Sequence, residues 1–143
     1  MTHRVTLETE PAHADVRILL EGLYAYNVEQ TGRDDGQWLA VFMRDEKGQI
    51  LAGLQGWTWG GWLKVSFLWV GPQERRQGLG RKLLLMAEAE AEKRGCSKAT
   101  LNTFSFQAPD FYRKFGYRIV ATVEGLPEGH RQHTLVKELS SAS

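Results

Sequence analysis

A loop rich in glycine and arginine, set between a strand and a long helix, most constrains how this chain can fold. Apolar residues predict the strand over Trp62–Val70, and Gly71 and Pro72 end it. A stripe of leucine and alanine predicts the helix over Arg76–Arg94. A strand that passes through a short loop into a helix is typical of α/β domains, in which helices pack on a sheet.

The loop has the chemistry of an anion site. At the beginning of a helix several backbone N–H groups lack intrahelical acceptors, and the helix dipole is positive. Gly78 and Gly80 carry no Cβ that would keep an anion away from these donors. Positive charge is added by Arg75, Arg76 and Arg81. The segment therefore predicts a site for a pyrophosphate or similar dianion, although the glycines could instead only permit close helix–sheet packing.

The rest of the chain predicts alternating strands and helices. A weakly alternating first strand is predicted over Arg4–Glu8, followed by a helix from Ala12 to near Thr31. Pro109 begins a short helix that ends near Gly116. The other strands are predicted at Trp38–Met43, Ile50–Trp59, Ala99–Phe104, Tyr117–Val123 and Thr134–Leu139. The order β-α-β-β-β-α-β-α-β-β indicates an α/β domain, a mixed sheet with helices on both faces.

Two apolar patterns indicate where the core lies. The strand ending at Val70 has one apolar face, and its end is apolar on both faces, so we expect it near the middle of a covered sheet. That face comprises Leu63, Val65, Phe67 and Trp69, with Leu68 and Val70 on the other side. The buried stripe of the long helix is predicted to comprise Leu79, Leu83, Ala87 and Ala91, widened by Leu84 and Met86.

Length and composition exclude several classes of protein. The 143 residues predict a single domain over 1–143, and the net charge of +1 gives no sign of nucleic-acid binding. The longest apolar run is far below the ~20 residues of a membrane span, and the polar segment Met1–Pro11 has no secretory h-region. One cysteine excludes an internal disulfide and a cysteine-based zinc site. We therefore expect a cytoplasmic protein without a metal.

Two segments resemble one enzyme family. The pattern V-x-P-x-x-R-x-x-G-x-G over residues 70–80 resembles the acetyl-CoA motif of the GNAT superfamily of N-acetyltransferases. About thirty residues later the chain resembles the family's second motif at Ala108, Tyr112, Lys114, Gly116 and Tyr117. The resemblance implies a mostly antiparallel, twisted GNAT-like sheet and an acetyltransferase that uses acetyl-CoA. The chain departs from the family at Phe106, where many members carry an asparagine that faces the cofactor.

The same resemblance implies a cofactor site. The strand ending at Val70 and the strand from Ala99 are expected to splay apart around the pantetheine arm, which bonds to the backbone of Leu68 and Val70. A backbone N–H near Val70 would face the thioester oxygen. The pyrophosphate is expected to lie against Arg75, Arg76, Gln77, Gly78, Leu79, Gly80 and Arg81. With phenylalanine at position 106, either Asn102 or Thr103 is expected to contact the arm.

Tyr112 is the implied general acid for the departing thiolate. A phenol with a pKa of ~10 needs favourable geometry and a shared hydrogen bond to protonate a thiolate. The alternative is that the Tyr112 ring only packs in the core or against the cofactor. A covalent route through Cys96 is disfavoured because this residue follows the end of a helix, where the dipole opposes a thiolate. We therefore expect direct transfer in a ternary complex.

Residues near the acceptor are less clearly indicated. His130 and His133 precede and begin the last strand and could act as base or contact substrate, or simply be exposed. Their spacing resembles a metal-ligand pair, but no further ligand set accompanies them. Glu124 and Glu21 are weaker candidates for the base.

Tryptophans near the Gly60-Gly61 turn are a second group near the acceptor. Trp57 shares a strand face with Trp59, which fits an acceptor wall, sheet packing or a homodimer surface. Tyr24 could shape the acceptor site or belong to the core. Two functions remain open: an enzyme that acetylates a primary amine of a small molecule, peptide or protein, and a non-catalytic acyl-CoA-binding or regulatory module.

Overall fold

The computed structural model describes residues 2–139 and contains three α-helices, one short 3-10 helix (Pro72–Glu74) and six strands within them. The helices are α1 (His13–Thr31), α2 (Leu79–Lys93) and α3 (Pro109–Lys114). The strands are β1 (Gln37–Arg44), β2 (Ile50–Trp59), β3 (Trp62–Val70), β4 (Lys98–Phe104), β5 (Arg118–Glu124) and β6 (Arg131–Glu138). The single domain predicted over 1–143 also includes Met1 and residues 140–143, which lie outside the described residues.

The chain divides into two compact units between Asp34 and Asp35. The first unit contains α1, and a single helix encloses no core of its own, so burial of Tyr24 remains a prediction. No helix within residues 2–139 is long and apolar enough to cross a membrane.

The second unit is built on one six-stranded sheet in the order β1-β2-β3-β4-β6-β5. Every neighbouring pair of strands is antiparallel except β3 and β4, which run parallel. The mixed, mostly antiparallel α/β fold is therefore confirmed, and β3 lies inside the sheet as expected. Gly60 and Gly61 join β2 to β3 with φ angles of 61° and 85°, as the predicted primed turn requires.

The first predicted strand is wrong. Residues 2–8 adopt no regular secondary structure, and Val5 and Leu7 are 94% and 90% exposed. An isolated extended segment has unpaired backbone groups, and the weak alternation over Arg4–Glu8 offers little apolar surface to offset the entropy of ordering it.

Helix α2 begins at Leu79, three residues later than predicted. Arg76 and Gly78 have φ angles of 65° and 75°, and neither left-handed conformation can continue a right-handed helix. Its buried residues pack against β1, β2 and β3 and are Leu83, Leu84, Ala87, Glu88 and Ala91. Met86 is 50% exposed because it lies roughly 130° around the helix from the centre of this buried arc.

A β-bulge in β3 reverses the predicted apolar face. Gln55 pairs with Phe67 while Gly56 pairs with Val65, so Ser66 is the extra residue. After the bulge Leu68 and Val70 pack against the core, and Phe67 and Trp69 are 69% and 51% exposed on the opposite face. The alternation of side chains along a strand cannot predict this reversal, because one inserted residue exchanges the two faces of the strand.

Candidate active site

β3 and β4 separate halfway along their length. Their parallel pairing begins with Trp62 opposite Lys98 and stops with Val65 opposite Leu101. Beyond that point β3 continues beside β2, and β4 continues beside β6. The separation begins at the bulge residue Ser66, so the expected splay is present as a gap between two strands of one sheet.

Gly56 allows the backbone to approach closely at the bulge. A Cβ on this residue would collide with the carbonyl oxygen of Lys64 on β3. A larger residue would therefore push β2 and β3 apart beside the gap.

Backbone groups of Leu68 and Val70 face the gap from the edge of β3. The Gly71 N–H donates to the Leu51 carbonyl at 2.9 Å, so residue 71 faces β2. Backbone groups alternate direction along a strand, and those of Leu68 and Val70 therefore point away from β2 and into the gap. The Val70 carbonyl accepts a hydrogen bond from Arg75 Nε at 3.0 Å, which connects this edge to the loop.

We call residues 75–81 the anion loop because its donors lack protein partners. The first helical hydrogen bond runs from the Lys82 N–H to the Gly78 carbonyl at 3.1 Å. Within residues 2–139 the N–H groups of residues 77–81 find no acceptor. In the same part of the chain Arg75, Arg76 and Arg81 form no ion pair with a carboxylate. Free N–H groups and uncompensated guanidinium groups are what a pyrophosphate requires.

The two loop glycines have different roles. A Cβ on Gly78 would meet nothing within 4 Å, and its φ of 75° is a conformation that other residues rarely adopt. A Cβ on Gly80 would lie 3.3 Å from Phe111 Cζ and 3.9 Å from Val70 Cγ2. Close packing therefore accounts for Gly80, whereas Gly78 leaves open space beside the free donors.

Tyr112 lies on α3, the helix that follows the end of β4. The residue is buried, and its ring contacts Phe111 and Tyr117 with centroid distances of 5.1 and 5.8 Å. Its hydroxyl forms no hydrogen bond within the described residues but is not fully enclosed. Burial raises the pKa of Tyr112 to about 12. The phenol therefore remains protonated at neutral pH and is a weak acid until a partner assists it.

Asn102 and Thr103 point to opposite faces of β4. Asn102 Oδ1 accepts a hydrogen bond from Thr134 Oγ1 at 2.7 Å on the exposed face. Thr103 is buried and donates to Gln107 Oε1 at 3.3 Å. The Phe104 N–H donates to the same Gln107 oxygen at 2.8 Å, so Gln107, which the sequence did not single out, fixes the turn after β4.

The turn between β5 and β6 brings several predicted acceptor residues together. A cavity of about 340 Å³ is lined by Ser105, Glu124, Gly125, Gly129, His130 and Arg131. The His130 ring lies edge-on to Phe106 at 4.9 Å, and Glu124 accepts two hydrogen bonds of 2.9 Å from Arg131 Nε. His133 lies outside this lining, and its Nδ1 is 2.9 Å from Thr122 Oγ1. His130 and Glu124 therefore line the same cavity, and His133 does not.

The predicted tryptophan pair is present on β2. The rings of Trp57 and Trp59 stack with centroids 6.0 Å apart, and both side chains are half-buried. Trp38 on β1 lies opposite Trp57 and is 63% exposed. Tyr24 and Glu21 belong to α1 in the first unit.

Cys96 is buried. Burial, and then the negative charge of Asp35, raise the pKa of its thiol, while Arg94 opposes them. The thiol is therefore not activated as a nucleophile. Residues 2–139 contain no group of three histidine, cysteine or acidic side chains placed to hold a metal ion.

Known proteins are similar to this chain in fold and in sequence. Residues 5–117 match the acetyltransferase (GNAT) family model. A blasticidin-S acetyltransferase of Streptomyces morookaense is 43% identical over 101 residues, covering 70% of this chain and 74% of that protein. The acetyltransferase Atu2258 of Agrobacterium fabrum is 35% identical over 113 residues, covering 79% and 82%.

The structural comparison extends over almost the whole chain. The crystal structure of a putative acetyltransferase from Agrobacterium tumefaciens superposes with a TM-score of 0.82 at 32% identity. The alignment covers 95% of this chain and 99% of that one. Sequence motifs, sheet topology and the gap between β3 and β4 agree with these matches, and the chain belongs to the GNAT family of acetyltransferases.

Proposed function

We propose that this acetyltransferase transfers an acetyl group from acetyl-CoA directly to a primary amine of a small molecule. The observation that carries the proposal is the gap between β3 and β4, which opens beside the free donors of the anion loop. The GNAT family uses acetyl-CoA, and the donors present here fit its pyrophosphate.

The anion loop and the edge of β3 bind different parts of acetyl-CoA. The N–H groups of residues 77–81 bind the pyrophosphate, and Arg76 and Arg81 neutralise its charge. The backbone edge of Leu68 and Val70 binds the amide groups of the pantetheine arm as an added strand would. On the opposite wall β4 offers either Asn102 or Thr103 to the arm.

The reaction needs charge stabilisation, positioning and one proton. Bound acetyl-CoA supplies the acetyl group as a thioester. The amine nitrogen forms a bond to the acetyl carbon, the carbon–sulfur bond breaks, and the amine releases one proton to water, from which Tyr112 regains the proton that it gives to sulfur. A backbone N–H near Val70 stabilises the negative charge on the acyl oxygen, and Tyr112 donates a proton to the leaving sulfur.

The acceptor is inferred from the relatives and from two surfaces. The blasticidin-S acetyltransferase supports a small molecule, although a peptide amine is the alternative. The cavity with His130 and Glu124 offers an imidazole and a carboxylate for an amine, and Trp57 offers an aromatic surface. Cytoplasmic location, a homodimer, and contacts of Tyr24 and His133 with substrate remain predictions.

Replacing Tyr112 with phenylalanine tests the enzymatic role. Tyr112→Phe keeps the ring but removes the proton donor, so we expect kcat to fall about 100-fold. The Kd for acetyl-CoA, measured by calorimetry, should remain within about twofold because the anion loop is untouched. Arg113→Gln is the control, since this exposed residue lies on α3 and pairs only with Asp110 at 3.5 Å.

The outcomes separate the two functions. Transfer at the wild-type rate by Tyr112→Phe would contradict the acid role. If wild-type protein binds acetyl-CoA but acetylates no amine, a non-catalytic acyl-CoA-binding module is the better description. Thermal shifts with a panel of amines in the presence of CoA would identify the acceptors to test.

A further inference from the structure

A buried ionic cluster lies away from the gap and has no role in the proposed chemistry. Glu88, on the core side of α2, is only 5% exposed. Its Oε2 accepts a hydrogen bond from the Tyr117 hydroxyl at 2.8 Å, and its Oε1 accepts one from Lys137 Nζ at 2.7 Å. We call these three residues the Glu88 cluster. Both carboxylate oxygens are satisfied, as a buried charge requires.

The cluster joins three parts of the fold. Glu88 lies on α2, Tyr117 lies between α3 and β5, and Lys137 lies on β6. The Lys137 ammonium group is 5.5 Å from the centroid of the Tyr117 ring. Its side chain also covers Gly116, where a Cβ would lie 3.5 Å from Lys137 Cε. The end of α3 is therefore fixed against both α2 and β6.

Tyr117 connects this cluster to Tyr112 in two ways. The Tyr117 N–H donates to the Tyr112 carbonyl at 3.2 Å, and the two rings meet edge to face at 5.8 Å. α3 has only six residues, so a helix of this length depends on tertiary contacts to hold its position. The contacts that orient the Tyr112 ring thus include a ring that Glu88 and Lys137 hold in place.

Stability alone is a weak reason for such a cluster. A buried ion pair can often be replaced by apolar residues of similar volume without loss of stability. A charged and hydrogen-bonded group does, however, define one geometry more narrowly than apolar packing does.

We propose that Glu88, Tyr117 and Lys137 are positioning residues that hold the Tyr112 hydroxyl at the site of proton transfer. The proposal rests on the acid role of Tyr112 given above. Glu88 lies nine residues from the beginning of α2, about 14 Å along the helix from the anion loop, and no described contact of Tyr117 or Lys137 involves residues 75–81. The cluster should therefore act on turnover and not on cofactor binding.

A triple apolar variant separates positioning from stability. Glu88→Leu, Tyr117→Phe and Lys137→Met together remove the polar network but leave no charge unpaired. We expect the melting temperature to be retained, kcat to fall about tenfold, and the KM for acetyl-CoA to stay within about twofold. Wild-type kcat in a folded triple variant would overturn the proposal.

Conservative variants cover the case in which the triple variant does not fold. Tyr117→Phe keeps the ring and removes only the bond to Glu88, so kcat should fall by about threefold. Lys137→Arg keeps a cation beside Glu88 and should preserve most of the activity. Arg113→Gln, which removes an exposed ion pair on α3, should leave kcat unchanged. If Tyr117→Phe and Arg113→Gln had the same kcat, the proposal would fail.

The ionisation of Tyr112 gives a readout that does not depend on activity. Carbon NMR of protein labelled in the tyrosine rings reports four residues, and Tyr112→Phe assigns the signal. In the wild-type protein burial holds the pKa of Tyr112 at about 12. In the triple variant the ring is no longer fixed, so this pKa should fall towards 10. An unchanged pKa would show that the cluster does not hold Tyr112.

These measurements also separate this proposal from the proposed function. If Tyr112→Phe transfers acetyl groups at the wild-type rate, the acid role fails, yet the NMR titration still tests whether the cluster holds Tyr112. If Tyr112→Phe is slow, adding the triple substitution to it should lower kcat no further. Additive losses would place the effect of the cluster outside Tyr112 and overturn the positioning role.

Discussion

The anion loop and the Glu88 cluster both depend on α2, and they treat polar groups in opposite ways. In the loop the N–H groups of residues 77–81 find no protein partner in the described chain, and the arginines are exposed. In the cluster every polar atom of Glu88 is paired and buried. Groups that bind a ligand must be available for it, whereas groups that define geometry must be satisfied within the protein.

The backbone shows the same difference. Arg76 in the loop has a positive φ angle, and such strain in a residue other than glycine is typical of binding segments that the surrounding structure holds in place. α2 around Glu88 is regular and packs against the sheet. The two regions should therefore respond oppositely to substitution: the loop in affinity, and the cluster in stability and turnover.

The largest expected effect is on stability in the cluster. Glu88→Ala leaves the Lys137 ammonium and the Tyr117 hydroxyl buried without their partner, and should lower the free energy of unfolding by about 3–5 kcal/mol. Arg81→Ala in the loop removes an exposed cation and should change it by less than about 0.5 kcal/mol. Urea denaturation of the two variants measures both values. Equal losses of unfolding free energy in the two variants would contradict the distinction between the anion loop and the Glu88 cluster.

The next effect is on stability at alkaline pH. The pKa of Tyr112 is about 12 in the folded protein, against about 10 for an ordinary tyrosine. Between these values the folded state retains the proton that the unfolded chain has released, so stability falls as pH rises. At pH 11 the loss from this group is about 1.4 kcal/mol.

Tyr112→Phe cannot ionise and should escape this loss. Its stability relative to wild type should therefore rise between pH 9 and pH 11 by about that amount. Tyr117 remains in both proteins, and burial and Glu88, which are the main causes of its raised pKa, are unchanged by the substitution. If the free energies of unfolding of wild type and Tyr112→Phe changed in parallel with pH, the Tyr112 hydroxyl would not be buried.

The smallest expected effect is that of Arg76→Gly, which should raise stability and lower the affinity for acetyl-CoA. Arg76→Gly relieves a strained φ of 65°, worth about 1–2 kcal/mol, but adds unfolded-chain entropy of about 0.5–1 kcal/mol. We expect a net gain of about 0.5–1 kcal/mol in the free energy of unfolding. The same change removes a cation from the anion loop and should weaken acetyl-CoA about threefold. If Arg76→Gly lost both stability and affinity, backbone strain at Arg76 would be contradicted.

The sequence indicated the loop between β3 and α2 because the parts of this loop are local. A strand, two glycines, three arginines and a helix lie within a short stretch, and each has a known backbone or charge requirement. The order of the elements after residue 37 followed from periodicity and turn residues in the same way. The Glu90–Arg94 pair, observed at 2.8 Å, is a local feature of the same kind, since residues four apart on a helix are neighbours.

Features that depend on distant contacts were not predictable in this way. Glu88 is close in sequence to neither Tyr117 nor Lys137. The helix pattern alone does not distinguish it from an exposed glutamate. The bulge at Ser66 depends on the approach of Gly56 from the adjacent strand, which no period within β3 reveals. The paired contacts of Asn102 and Thr103 likewise depend on Thr134 and Gln107 and not on their own motif.

Calorimetry with acetyl-CoA tests the central claim, that the anion loop binds the cofactor, most directly. Gly78→Glu places bulk and negative charge beside the free donors, and Gly48→Glu is its matched control. Gly48 has a φ of 81° and nothing within 4 Å of its Cβ position, so both variants carry a similar backbone strain. We predict that Gly78→Glu weakens acetyl-CoA at least about 100-fold while Gly48→Glu stays within about twofold of wild type. Wild-type affinity in folded Gly78→Glu would contradict the assignment of this loop.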